Sequence, residues 1–209
     1  MSLQKHSNDK LAHYAKACTD ILFRFPFGQQ ELMGVAARGN FDLSQHSKYS
    51  GKTLEYQDPS GKGKFIPHVI EPSVGVDRLF LALMVSAYRE EIVNDEKRIV
   101  LGFHPAIAPI KVAVFPLVTN NQEISNLAKE ITRTLRKSVT TEFDSAGGIG
   151  KRYRRADEAG IPFCITVDFD SLQASTVTVR HRDTMEQQRV HISELQEFLE
   201  KLTKDPILD

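Results

Sequence analysis

The stretch that most constrains this chain runs from Ile66 to Arg89, IPHVIEPSVGVDRLFLALMVSAYR. A β-prone apolar approach, Val69-Ile70, meets Glu71-Pro72-Ser73-Val74-Gly75-Val76-Asp77-Arg78, and a nearly all-apolar run from Leu79 to Val85 follows. Such a run predicts a helix buried on most sides. Two charges of opposite sign and a serine therefore stand at a strand-to-helix junction beside an expected core. Charge held there is costly unless it meets a partner, so the junction reads as a place built for a ligand. The plainer alternative is a helix N-terminus capped by Ser73 or Asp77, with Arg78 in a surface ion pair.

The rest of the chain sets bounds on that ligand. Its 209 residues suffice for one large or two small domains. Basic and acidic residues balance at 27 each, which argues against a wholesale nucleic-acid tail while leaving room for local basic patches. Cys18 and Cys164 are isolated in apolar-periodic segments, so no zinc pattern and no metal site is expected, and a reduced, cytoplasmic setting follows. His46 has no second His or Cys at ligand spacing and reads as a surface residue. No apolar run nears the ~20 residues that span a bilayer, and the polar start Met1–Lys10 carries no signal peptide. Gln57 to Lys64, QDPSGKGK, invites a phosphate-loop reading but lacks G-x-x-x-x-G-K-[ST]. It predicts a hairpin tip between Thr53–Tyr56 and Phe65–Ile70.

Taken in order, Leu11, Ala15, Cys18 and Leu22 recur at helical spacing and predict a helix over Asp9–Leu22, with Cys18 facing the core. Phe23–Phe27 and Gln30–Ala36 read as short strands, the second carrying the unexpected acid Glu31. Asn40–Ser50 reads as loop or short helix, and the charged run Glu90–Arg98 followed by prolines as a linker, placing a domain boundary near His104. Beyond it strand and helix alternate. Ile110–Val118 is a strand, Asn120 with Glu123 starts a capped helix through Leu135, and Val139–Phe143 is a strand. The turn Gly147–Gly150 leads into a basic helix, Lys151–Ala159, and Pro162–Phe169 is a further strand. Ser175–Arg182 alternates, with Val177 and Val179 on one face and Arg180 and Arg182 on the other. Gln187–His191 pairs with it, and Ile192, Leu195, Leu199 and Leu202 mark a last amphipathic helix.

Glu71-Pro72-Ser73-Val74-Gly75-Val76-Asp77-Arg78 before an apolar helix resembles motif 3 of the class II aminoacyl-tRNA synthetases in its glycyl-tRNA synthetase form. Phe25-Pro26-Phe27-Gly28, Glu31-Leu32-Met33-Gly34-Val35-Ala36, Tyr49-Ser50-Gly51-Lys52 and Ala108-Pro109-Ile110-Lys111-Val112 agree with that family in order. So do Gly150 to Glu158 (GKRYRRADE) and Val167-Asp168-Phe169-Asp170. The resemblance covers nearly the whole chain from Asp9. It implies an α+β / α/β fold: the C-terminal part of an antiparallel-sheet catalytic domain (residues 1–104), then a mixed-sheet anticodon-binding domain (residues 105–209). It implies glycine–tRNA ligase activity with ATP as substrate, Mg2+ accompanying the ATP, no tightly bound cofactor, tRNA(Gly) as partner and a homodimeric intact enzyme.

The resemblance also implies roles. Glu31, Glu71, Pro72, Ser73, Val74 and Gly75 fall at glycine-binding positions, where a carboxylate is the natural acceptor for an ammonium. Glu31, Leu32, Gly75, Val76, Asp77 and Arg78 fall at ATP-binding positions, Arg78 matching the arginine that stacks on adenine, which suits a planar guanidinium. Lys151, Arg152, Arg154 and Arg155, interleaved with Tyr153, and the pair Arg180 and Arg182 are basic candidates for RNA contact; a solvated helix face with Asp157 and Glu158 as partners is the competing reading of the first cluster. Motif 1, which builds the dimer interface, and motif 2, with its R-x-E strand, are not found. The chain therefore reads as the C-terminal part of such an enzyme, expected not to form glycyl-adenylate alone. The rival expectation is a stand-alone, non-catalytic nucleic-acid-binding paralogue. An ordinary α/β nucleotide-binding module is weakened by the lack of a glycine phosphate loop.

Overall fold

The computed structural model describes residues 1–61 and 63–203; the hairpin-tip residue Lys62 lies outside them. The chain divides into two compact units, Met1–Val85 and Ser86–Asp209.

The first unit is built on an antiparallel sheet of β1 (Ser2–Lys5), β2 (Ala17–Phe25), β3 (Gly28–Gly39) and β6 (Val69–Val74), in the order β1-β2-β3-β6. The helix expected over Asp9–Leu22 is instead a single 3-10 turn, Asn8–Lys10, followed by β2. The helical spacing of Leu11, Ala15, Cys18 and Leu22 was outweighed by sheet pairing: Ala17–Phe25 turns back at Pro26–Phe27 and pairs with β3 along its length. Gly28 closes that turn at φ +112°, backbone that favours glycine. Two bulges interrupt β3, one leaving Leu32 unpaired against β2 and one leaving Arg38 unpaired against β6.

Between β3 and β6 come α1 (Phe41–Ser50) and a small hairpin of β4 (Tyr56–Gln57) and β5 (Lys64–Phe65), shorter than expected. After β6 the chain turns at Gly75 into α2 (Val76–Ala87). This helix departs from expectation: Ala82 is buried, but Val76, Leu79, Phe80 and Leu83 stay exposed.

The second unit opens with an antiparallel hairpin, β7 (Tyr88–Val93) and β8 (Glu96–Leu101), where a linker was expected. Asn94 and Asp95 make its two-residue turn with positive φ at both, a geometry that small polar side chains tolerate. A five-stranded mixed sheet follows. It comprises β9 (Val112–Pro116), β10 (Thr141–Phe143), β11 (Phe163–Val167), β12 (Thr176–His181) and β13 (Gln187–His191), in the order β10-β9-β11-β12-β13. The three strands β10, β9 and β11 run parallel; β12 and β13 complete the sheet antiparallel. α3 (Gln122–Leu135), capped by Asn121 rather than Asn120, and α6 (Leu195–Thr203) bury Ile124, Ala128, Leu135, Leu195 and Leu199 with one face of the sheet. α4 (Ile149–Glu158) packs Ala156 with the other face, against Ala113, Phe115 and Cys164. A short α5 (Phe169–Ala174), absent from the sequence reading, is held by a capping box between Asp168 and Ser171.

Candidate functional site

The register of the first sheet decides which side chains meet. Ala36 of β3 lies opposite Cys18 on β2 and Glu71 on β6; Gly34 lies opposite Asp20 and Ser73. Because side chains alternate along a strand, these two rows share one face. Glu31 joins them: a Cβ added at Gly34 would sit 3.5 Å from Glu31 Oε1 and 3.6 Å from Asp20 Oδ1. Gly34 thus leaves a methyl-sized space flanked by two carboxylates, with the Ser73 position across the strand pair. Burial raises the Cys18 thiol pKa, and the Asp20 and Glu31 carboxylates raise it further. The face is electronegative and floored by small residues.

Glu71 stands one row along and is not free. Arg38 Nη1 donates to Glu71 Oε2 at 2.5 Å, while Arg38 Nε and Nη2 bind both oxygens of Asp42 at 2.6 and 2.8 Å. The guanidinium carbon stands 3.9 Å from the Tyr14 ring centroid. The hydrogen bond from Arg38 holds the Asp42 carboxyl below its ordinary range. Arg78, in the first turn of α2, donates from Nη1 to the backbone oxygen of Glu31. Glu31 and Ala36 mark the two ends of the site along β3, about 15 Å of strand. Pro72, Val74, Gly75, Val76 and Asp77 line the exposed stretch that joins Glu71 to Arg78, and Leu32 sits in the bulge beside Glu31. Asp20, Arg38, Asp42 and Tyr14 escaped the sequence reading, because the first pair surfaces only through strand register and the second only through side-chain contact.

The basic candidates of the second unit separate into two groups. Arg152, Arg180 and Arg182 are buried, so the expectation that they contact RNA is corrected. Arg152 turns inward and donates to the backbone oxygens of Gly147 and Pro116. Arg180 forks onto Asp157 at 3.0 and 3.3 Å, and Arg98 Nε reaches the same carboxylate at 2.8 Å. Arg182 binds Asp183 and the backbone oxygens of Gly160 and Phe103. Arg180 lies on the face of β12 opposite Val177 and Val179, and that face packs against α4 and the hairpin β7–β8. Lys151 and Arg155 are exposed and Arg154 is half-buried; with Gly150 and Glu96 they line a surface groove of about 560 Å³. Arg155 is partly engaged by Asp144 at 2.5 Å.

That groove begins where α4 begins, beyond the carboxyl end of β10. In open α/β sheets this is the edge where ligands bind. The same edge, beyond β11, carries Phe169, 53% exposed.

Residues 111–202 match the family model described as "Anticodon binding domain". The chain is 51% identical over 205 residues to the "Glycine--tRNA ligase" of Alkaliphilus oremlandii, covering 98% of this chain and 44% of that protein. It is 51% identical over 202 residues to that of Lysinibacillus sphaericus (96% and 43%), and 50% identical over 204 residues to that of Caldanaerobacter subterraneus (98% and 44%). The second unit thus carries, over residues 111–202, a domain of the anticodon-binding type. Over nearly its whole length the chain is similar to the C-terminal part of bacterial glycine–tRNA ligases. It spans less than half the length of these relatives.

Proposed function

We propose that this chain serves a glycine–tRNA ligase, with the amino acid and ATP on the first unit and tRNA(Gly) on the second. The observation that carries the reading is the Gly34 space, bounded by the carboxylates of Glu31 and Asp20 and lying across from Ser73. A free amino acid presents an ammonium, and a hydrogen bond to a charged group contributes about 1.5–3 kcal/mol. Glu31 and Glu71 take the ammonium and the Ser73 hydroxyl fixes its orientation. Glycine is the smallest amino acid, so any competitor brings extra atoms against the strand wall, and rejecting larger side chains is the easy direction of selectivity.

ATP lies toward α2. Arg78 swings its guanidinium plane onto the purine, and the exposed Gly75 leaves backbone open to the nucleotide. Mg2+ enters as the ATP complex, and the Glu31 carboxylate is the kind of hard oxygen donor such an ion accepts. The reaction joins the glycine carboxylate to the α-phosphate with release of pyrophosphate, and then passes the glycyl group to a hydroxyl of the terminal ribose of tRNA with release of AMP. This chain contributes positioning and charge stabilisation rather than a nucleophile. The anticodon loop meets the carboxyl edge of β10, β9 and β11, with Lys151, Arg154 and Arg155 on phosphate and Phe169 stacking. The intact enzyme works in the cytoplasm as a homodimer.

The test is a hybrid in which this chain replaces the matching C-terminal part of the Alkaliphilus oremlandii ligase. The hybrid is expected to show glycine-dependent ATP–pyrophosphate exchange and to charge tRNA(Gly), and the isolated chain to show no exchange. A hybrid that folds but activates no glycine overturns the reading.

A further inference from the structure

We infer that Arg38 is a positioning residue for glycine recognition: it holds Glu71 Oε2 so that the other carboxylate oxygen faces the ammonium. The inference rests on the glycine reading of Glu71 given above and adds a residue that touches no substrate.

The geometry around Arg38 is over-determined. Its side chain leaves β3 at the bulge, where the strand carries one residue more than β6. Bulges are a common device for re-aiming a side chain beside an active site. Two guanidinium nitrogens are used in a fork onto Asp42, the second residue of α1. The guanidinium also lies against the Tyr14 ring at 3.9 Å. Both contacts fix the plane of the group, and neither faces the proposed ligand. What remains directed at the site is Nη1, bonded to Glu71 Oε2. Arg38 is only partly exposed, at 18% of its side chain, whereas Glu71 keeps 44%. Glu71 is thus tethered at one oxygen and open at the other.

A tether of this kind does two things. It removes rotamer freedom from a glutamate that otherwise loses it on binding glycine. It also places a cation beside Glu71, one that Glu71 shares with Asp42. A lysine cannot replace Arg38, because one ammonium cannot fork onto Asp42, stack on Tyr14 and reach Glu71 together.

The experiment has two readouts. In the 209-residue chain, nitrogen-detected spectra of arginine side chains should show hindered rotation for Arg38. Glu71→Gln should loosen the Nη1 side while the Asp42 fork persists. In the hybrid ligase, glycine KM in ATP–pyrophosphate exchange is measured for Arg38→Gln, Glu71→Gln, the double variant, Arg38→Lys and Asp42→Asn. Each single change at 38 or 71 is expected to raise KM for glycine about 10–100-fold, with KM for ATP little changed. The double variant should be no worse than the poorer single one, since both break one unit. Arg38→Lys should fail to rescue, and Asp42→Asn should give a smaller rise.

Additive effects of Arg38→Gln and Glu71→Gln would overturn the positioning role while leaving Glu71 as a glycine ligand. A normal glycine KM in Glu71→Gln would overturn the underlying reading and this inference with it. An Arg38→Gln hybrid with lowered thermal stability but unchanged glycine KM would show that the arginine is merely structural.

Discussion

The two units spend their charged residues in opposite ways. In the second, Arg98, Arg180 and Asp157 are almost wholly excluded from water and satisfy one another, with Glu91, Asp183, Arg89 and backbone oxygens completing the network. An acid in the last turn of a helix opposes the helix dipole, and Asp157 is held there because guanidinium groups surround it. In the first unit, the charged groups lie on a half-open sheet face. Asp20 and Glu31 flank Gly34 with Glu71 one row along; His6 stands against Asp20, Arg38 is shared between Glu71 and Asp42, and the apolar residues buried there are Phe25 and Ala82 among those described. Charge that is fully partnered holds a fold together; charge left in excess on a small-residue floor is available for a ligand. That contrast separates the anticodon-binding domain from the candidate glycine face more sharply than composition does.

Breaking the network should give the largest effect. Asp157→Ala leaves buried Arg180 without its carboxylate and strips Arg98 of one of its two acids, and should destabilise the second unit by about 3–5 kcal/mol. Urea unfolding followed with probes in each unit should show that loss in the second and little change in the first. Gly160→Ala comes next. Gly160 has φ +77°, and an added Cβ would stand 2.5 Å from Phe103 Cδ2 and 3.0 Å from the Leu101 oxygen. A loss of about 1–3 kcal/mol is expected by the same measurement.

Acid should distinguish the units more gently. Burial alone would raise the Asp183 pKa, but hydrogen bonds from Arg182 and Arg89 outweigh it and bring the carboxyl from 3.8 to about 2. A depressed carboxyl stabilises the fold above its unfolded value. The contribution is therefore complete above pH 3.8 and fades as pH falls toward about 2. Asp183→Asn should flatten that part of the stability profile of the second unit. The smallest effect is expected on α2: Phe80, 64% exposed, should tolerate change to Ser within about 0.5 kcal/mol, and sedimentation should show reduced self-association, since exposed apolar patches attract partners.

The same contrast explains what could be read beforehand. The strand–helix alternation of the second unit was legible because its core positions recur at clean spacing, as in Ile124, Ala128, Ile131 and Leu135. The hairpin β7–β8 was not, since Glu90, Glu91, Glu96, Lys97 and Arg98 look like a solvated linker until Arg98 is seen to be buried. Arg180 and Arg182 were put on the strand face opposite Val177 and Val179, but charge alone does not reveal what packs over it. In the first unit, Glu31, Glu71, Ser73 and Arg78 were singled out through family resemblance, and the structure adds which of them share a sheet face. The helix expected over Asp9–Leu22 misled because apolar residues at helical spacing can also occur in a strand whose two faces are both partly covered. Asp20 and Arg38 needed register and a bulge, neither of which short-range patterning reports.

The decisive measurement is Glu71→Gln in the hybrid ligase, with glycine KM and tRNA(Gly) affinity determined on the same preparation. The account predicts a large rise in glycine KM with tRNA binding nearly unchanged. Equal losses in both, or a loss in tRNA binding alone, would contradict it.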